Sequence, residues 1–207
     1  MTNAAYWSER LARLTACPFA RLTRVICVNV DEITGLRQGA EAVAAFSRRL
    51  PTPNDRMLAV VCTTTVHEPT TEGLASLFHT MVYRANVTPE AKAALYRGIT
   101  SRAWRLRING LEAFALVLSP VYPPDHQRHF PERTVVLIQP EALFSHHGIT
   151  SGERRHALSA VVAKSFWQAG IRAYRYDHSV GLPKAYRIVQ PTNGSQGVRW
   201  WDTPLLL

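Results

Sequence analysis

The residues best suited to chemistry lie in one stretch, Ser119-Pro-Val-Tyr-Pro-Pro-Asp-His-Gln-Arg-His-Phe-Pro. His126 and His129 form the chain's only His-x-x-His pair. Pro123, Pro124 and Pro131 stiffen the segment, because each proline ring fixes φ. A stiff loop bearing imidazoles can hold an axial metal ligand in one orientation. The competing reading is a surface loop with solvated histidines. The pair alone is a weak zinc signal. Three or four ligands are needed, and His146-His147 would have to fold against the loop.

Other chemistry has less support. The chain has no GxGxxG, Walker A, GxSxG or HExxH pattern and no RNA-recognition motif. Asp and Glu are scattered, so a paired-carboxylate mechanism has no seat. Cys17, Cys27 and Cys62 are an odd count without CxxC spacing, which argues against a disulfide framework or structural zinc. Lys and Arg number 24 against 15 acids, a net charge of +9, and only Lys92, Lys164 and Lys184 are lysines. The planar guanidinium fork suits carboxylate, phosphate and propionate groups, so the excess favours anionic partners. A solvated surface would carry the same excess.

The elements that must position these residues can be read from pattern. The 207 residues are 46% hydrophobic and 19% charged, with 13 Pro and 11 Gly, which excludes collagen-like, low-complexity and disordered classes. The longest apolar runs, Met57 to Cys62 and Ala113 to Leu118, are too short to cross a membrane as a helix. The N-terminus lacks an apolar signal core, which predicts a cytoplasmic, unprocessed chain. Asn3 can cap a helix carrying Trp7, Leu11 and Leu14. Arg24 to Val30 reads as a short strand or extended segment. Asp31 opens a helix with Leu36, Ala40, Val43, Ala44 and Leu50. Met57 to Thr65 and Thr134 to Gln139 read as buried strands. Thr70 or Thr71 caps a helix with Leu74, Leu77, Phe78, Met81 and Val82, and Thr88-Pro89-Glu90 starts another. Asn109-Gly110 demands a type I′ hairpin pairing Ile108 with Leu111, Arg107 with Glu112 and Arg105 with Phe114. Thr150-Ser-Gly-Glu has capping-box spacing and opens a helix with Leu158, Val161, Val162, Ser165, Phe166 and Ala169 on one face, ended by Gly170. The apolar tail Trp200-Trp-Asp-Thr-Pro-Leu-Leu-Leu must pack on the domain or on a second copy in a homodimer. These elements predict one α+β domain spanning 1–207, a largely antiparallel sheet with a central hairpin at 104–118 and helices packed on it.

The hairpin, loop and next strand together resemble the YqcI/YcgG family of small haem proteins. The residues that carry the resemblance are Cys17-Pro-Phe-Ala, Trp104, Gly110, Tyr122-Pro123…His126-Gln-Arg128, Gln139-Pro140 and Phe144. The resemblance spans roughly 15–190 with gaps. The chain is shorter than expected, and Tyr176-Asp-His-Ser-Val-Gly-Leu-Pro matches the family's ending only loosely. Members include haem-dependent N-oxygenases that hydroxylate amines or guanidines in natural-product pathways.

The resemblance implies haem b with His126 as proximal iron ligand, or His129 in its place. Arg128 would reach a propionate, with Arg105 and Arg107 as further cations. Tyr122, Trp104, Phe114 and Phe144 would help wall the porphyrin. His67 could stand on the distal side, His178 at the pocket mouth, and Cys17 is a remote thiolate alternative. The expected activity is N-hydroxylation of a small amino-acid-like amine or guanidine with dioxygen or peroxide. Glu112, Asp125, Asp177 and Asp202 are candidate partners for a cationic substrate, and no catalytic residue is assigned. The rival functions are a non-catalytic haem-binding protein and a basic nucleic-acid-binding domain, the latter resting on Arg48-Arg49, Arg154-Arg155 and many aromatics.

Overall fold

A computed structural model describes residues 4–14, 24–30, 35–49, 56–62, 70–146, 152–171, 182–192 and 197–206. Among the described residues five strands form one sheet: β1 (Arg24–Val30), β2 (Arg56–Cys62), β3 (Leu106–Ile108), β4 (Leu111–Leu118) and β5 (Thr134–Pro140). Their order is β1-β2-β5-β4-β3. Only β1 and β2 pair parallel; the other pairings are antiparallel. The chain is thus an α+β protein with a largely antiparallel sheet. The hairpin lies at one edge rather than at the centre. β5 takes the central place because it pairs on both sides, and Val135, Val136 and Ile138 are fully buried.

Among the described residues six α-helices accompany the sheet: α1 (Ala4–Leu14), α2 (Gly35–Arg48), α3 (Thr71–Ala85), α4 (Pro89–Tyr96), α5 (Glu141–His146) and α6 (Gly152–Gln168). Caps set the starts of α3 and α4. Thr70 Oγ1 accepts the Gly73 N–H at 3.0 Å, and Thr88 Oγ1 accepts the Ala91 N–H at 3.2 Å ahead of Pro89. Side-chain alternation divides the strands between two cores. Leu58, Val60, Ile108, Ala115, Val117, Val136 and Ile138 pack toward α2 and α3, together with Trp104, Tyr122 and Trp200. Met57, Ala59, Val61, Leu118, Val135 and Leu137 pack with Trp7 and Leu11 of α1 on the opposite face.

The hairpin pairs Ile108 with Leu111 and Arg107 with Glu112, as the Asn-Gly turn predicts. Asn109 has φ +48°, a conformation asparagine tolerates, and Gly110 has φ +87°. Asn109 also fastens the turn to the helices. Its Nδ2 donates to Ser47 Oγ and the Ala85 carbonyl, both at 2.9 Å, and its Oδ1 accepts the Val87 N–H at 3.2 Å. Buried Asn86 accepts the Asn109 N–H at 2.9 Å.

α6 departs from its expected face. Phe166 is buried, but Val161 is 50% exposed and Ala169 is exposed. The periodicity is helical, yet a stripe buries only where a neighbour meets it. The Leu158 side chain and the capping residues Asn3, Asp31, Thr150 and Ser151 lie outside the described residues. No helix among the described residues is long and apolar enough to cross a membrane.

Candidate functional site

The loop between β4 and β5 folds back on itself. Ser119 N–H donates to the Arg128 carbonyl at 3.0 Å, and Phe130 N–H donates to the Ser119 carbonyl at 3.2 Å. Ser119 Oγ lies 2.9 Å from Thr134 Oγ1 and accepts the Val121 N–H at 3.2 Å. Two tight turns follow, His126 N–H to the Pro123 carbonyl at 2.8 Å and His129 N–H to the His126 carbonyl at 2.9 Å. Prolines and turns together give the loop a defined shape, as its composition predicts.

The loop is clasped to residues 184–191. The buried Tyr122 hydroxyl accepts the Gln190 N–H at 3.2 Å. Gln127 Nε2 donates to Gln190 Oε1 at 2.6 Å, and Arg128 Nη2 donates to the Arg187 carbonyl at 3.0 Å. Lys184 is anchored in turn by Glu141 at 2.8 Å, with both side chains largely covered. Burial pushes the Tyr122 hydroxyl pKa up to about 12, against a smaller opposing effect of the Arg128 charge.

The two histidines have different environments. The His126 ring stacks on Tyr122, with centroids 4.5 Å apart and planes 7° from parallel. Its Nδ1 accepts the Arg128 N–H at 3.1 Å. In the neutral ring Nε2 therefore carries the proton, so in this tautomer His126 offers no lone pair to a metal. Burial, then the Arg128 charge, push its pKa down to about 4, so the ring is neutral. His129 uses Nδ1 alone, 2.6 Å from the Tyr122 carbonyl. A carbonyl can only accept, so Nδ1 carries a proton, and in the neutral ring Nε2 is the lone-pair nitrogen. Nε2 has no hydrogen-bond partner among the described residues. A ring so held is arranged as metal-ligating histidines commonly are. The donor the resemblance put first is thus engaged by the loop, and the alternative three residues on has the free nitrogen.

The other expected haem residues do not converge. Trp104 and Tyr122 belong to the core beneath α2 and α3. Trp104 Nε1 donates to the Leu95 carbonyl at 3.1 Å. Phe114 and Phe144 meet edge-to-face at 6.1 Å, and Phe114 shares the opposite sheet face with Leu116 and Leu118. A planar porphyrin cannot touch both faces of an intact sheet, so these four do not wall one slot. Arg107 pairs with Glu112 across the hairpin at 2.7 Å, and Arg105 donates to the Ala103 and Trp104 carbonyls. Neither reaches the loop histidines in these bonds. Asp125 is exposed beside His126, and Asp202 pairs with Arg199 at 3.2 Å. Cys17, His67, His147, Asp177 and His178, with the His146 side chain, lie outside the described residues. Among the described residues no group of three metal-ligating side chains occurs.

Sequence reasoning missed the clasp. Gln190 and Arg187 carry no motif, and only the folded chain brings them to the loop. Comparison with protein-family models, curated proteins and solved structures returns no match.

Proposed function

We propose that the chain binds a b-type haem through His129 and is a haem-dependent N-oxygenase acting on a small amine or guanidine. The observation that carries this reading is the His129 ring, with Nδ1–H on the Tyr122 carbonyl and Nε2 left as a lone pair. The motif around it supplies the family resemblance. When bound, the haem would supply the oxidising chemistry with dioxygen or peroxide. This chain's part is to hold the ligand. The Tyr122 carbonyl fixes the imidazole tautomer and its orientation. The His126 ring braces Tyr122 from the side, and Arg128 ties the loop to the 184–191 segment. Of the aromatic set, only Tyr122 fits this role, through its backbone.

Haem reconstitution tests the proposal. Wild-type protein with added haemin should develop a Soret band with near-stoichiometric haem that acid–butanone extracts. His129→Ala should weaken haem retention by at least about tenfold, whereas His126→Gln should retain the band. A chain that takes up no haem would sink the reading. Loss confined to the His126 variant would return the ligand to that residue.

A further inference from the structure

A groove of about 240 Å³ runs between α2 and the C-terminal end of α3, far in sequence from the loop histidines. Its floor is Ala40 and Ala44, its far wall is Val87, and Arg37, Arg48 and Arg84 stand along it. Glu41 is its only acid. Arg37, Glu41, Ala44 and Arg48 follow at intervals of four, three and four, so they share one face of α2. With a rise of 1.5 Å per residue, Arg37 and Arg48 are spaced about 16 Å along the helix.

Two features mark this groove as more than solvated charge. The helix dipole favours a cation in the last turn, which accounts for Arg48 and Arg84. It does not account for Arg37 in the first turn of α2, where a cation is disfavoured. The ion pair Arg37 forms with Glu41 is loose, at 3.8 Å with both side chains 70% exposed, so it holds neither group in place. Val87 is 57% exposed and presents an apolar surface to a groove otherwise edged by arginines.

We propose that this groove binds an acidic peptide segment, with carboxylates near both ends and an aliphatic or aromatic side chain between them. The length fits about five residues of extended chain or eleven of helix. The end carboxylates meet Arg37 at one end and Arg48 at the other, where guanidinium–carboxylate bonding can be bidentate. The central side chain covers Ala40, Ala44 and Val87. The apolar floor and Glu41 disfavour a nucleic-acid strand, whose charge is unbroken along its length. A second copy of this chain is disfavoured by its own +9 charge.

The test is selection from a random 12-residue peptide display library on the whole protein, with the Arg37→Glu/Arg48→Glu double variant as counter-target. Both positions are exposed, so the fold should survive, and a circular dichroism melt confirms it. Enriched peptides should carry acids near both ends and an apolar centre. Their affinity, by fluorescence anisotropy, should fall at least about tenfold on the double variant and on Val87→Asp. Enrichment without acidic bias, no enrichment, or equal binding to the variants would overturn the proposal. So would a labelled oligothymidylate that binds more tightly than the peptides and is lost on the same variants, which would make the groove a nucleic-acid surface.

Discussion

His126 stabilises the fold only while it is neutral, and that makes a pH prediction. An unfolded histidine titrates near 6.5, whereas the folded ring is held down to about 4. Between those values the unfolded chain binds a proton that the folded chain refuses. Stability is therefore fully present above about pH 6.5 and falls as pH drops towards about 4. The half-covered ring discounts the effect to on the order of 1–2 kcal/mol. His79 also titrates below its ordinary value, chiefly through burial, against the opposing Thr203 carbonyl and Asp202, so it adds to the slope. His126→Gln should flatten the profile in urea titrations between pH 4.5 and 7.5. An unchanged slope would mean that the ring is hydrated. Which histidine had a free nitrogen was not legible in the sequence. His126 and His129 share one motif, and the Arg128 N–H and the Tyr122 carbonyl tell them apart only after folding.

Local chemistry dictates the elements more fully than the contacts between them. The buried run Met57 to Cys62 becomes β2, and Leu74, Leu77, Phe78, Met81 and Val82 are all buried on α3. Thr70 rather than Thr71 is the cap, a choice settled by its bond to Gly73. The parallel pairing of β1 with β2 was not legible, because strand pattern reports burial and not direction. α5 was missed, being only six residues long. The Asn109-Gly110 turn was legible, but its fastening to Ser47 and Ala85 was not, since those partners lie on separate helices. That fastening separates two substitutions. Asn109→Gly keeps the positive φ but loses three side-chain hydrogen bonds and leaves Ser47 and Ala85 groups short of a partner, a cost of about 1–3 kcal/mol. Gly110→Ala meets open space and should cost only backbone strain, about 1 kcal/mol. Chemical denaturation of both variants decides whether turn conformation or helix fastening matters more. A Gly110 cost well above that of Asn109 would show that backbone conformation, not the fastening, holds the turn.

At the scale of the whole molecule, the C-terminal segment closes the core that the sheet and α3 leave open. Trp200 is fully buried against Phe78, with ring centroids 4.9 Å apart at 90°, and its Nε1 donates to the Ala185 carbonyl at 3.0 Å. Three side chains of α3 then hold the following backbone. His79 Nδ1 lies 2.9 Å from the Thr203 carbonyl, Thr80 Oγ1 accepts the Leu206 N–H at 2.8 Å, and Arg84 Nη2 donates to the Leu206 carbonyl at 3.0 Å. Leu205 remains 38% exposed, so the segment is held by its backbone and by one large anchor rather than by a run of apolar side chains. Residues 200–206 thus dock on their own domain through Trp200 and the backbone. An anchor of this kind concentrates its stabilisation in one residue. Trp200→Ala should cost about 3–5 kcal/mol, as large aromatic truncations in a core do, with Trp200→Phe costing less. The same substitution has a local signature. Trp200 packs 5.7 Å from the His79 ring, and burial is the largest cause of that ring's lowered pKa. Removing the indole admits water, so the His79 pKa should rise towards its ordinary value in an NMR titration, while His126 on the separate loop should keep its own. A His79 titration that did not move would show that the segment stays docked through its backbone bonds alone. The anchor would then be Thr80 and Arg84 rather than Trp200.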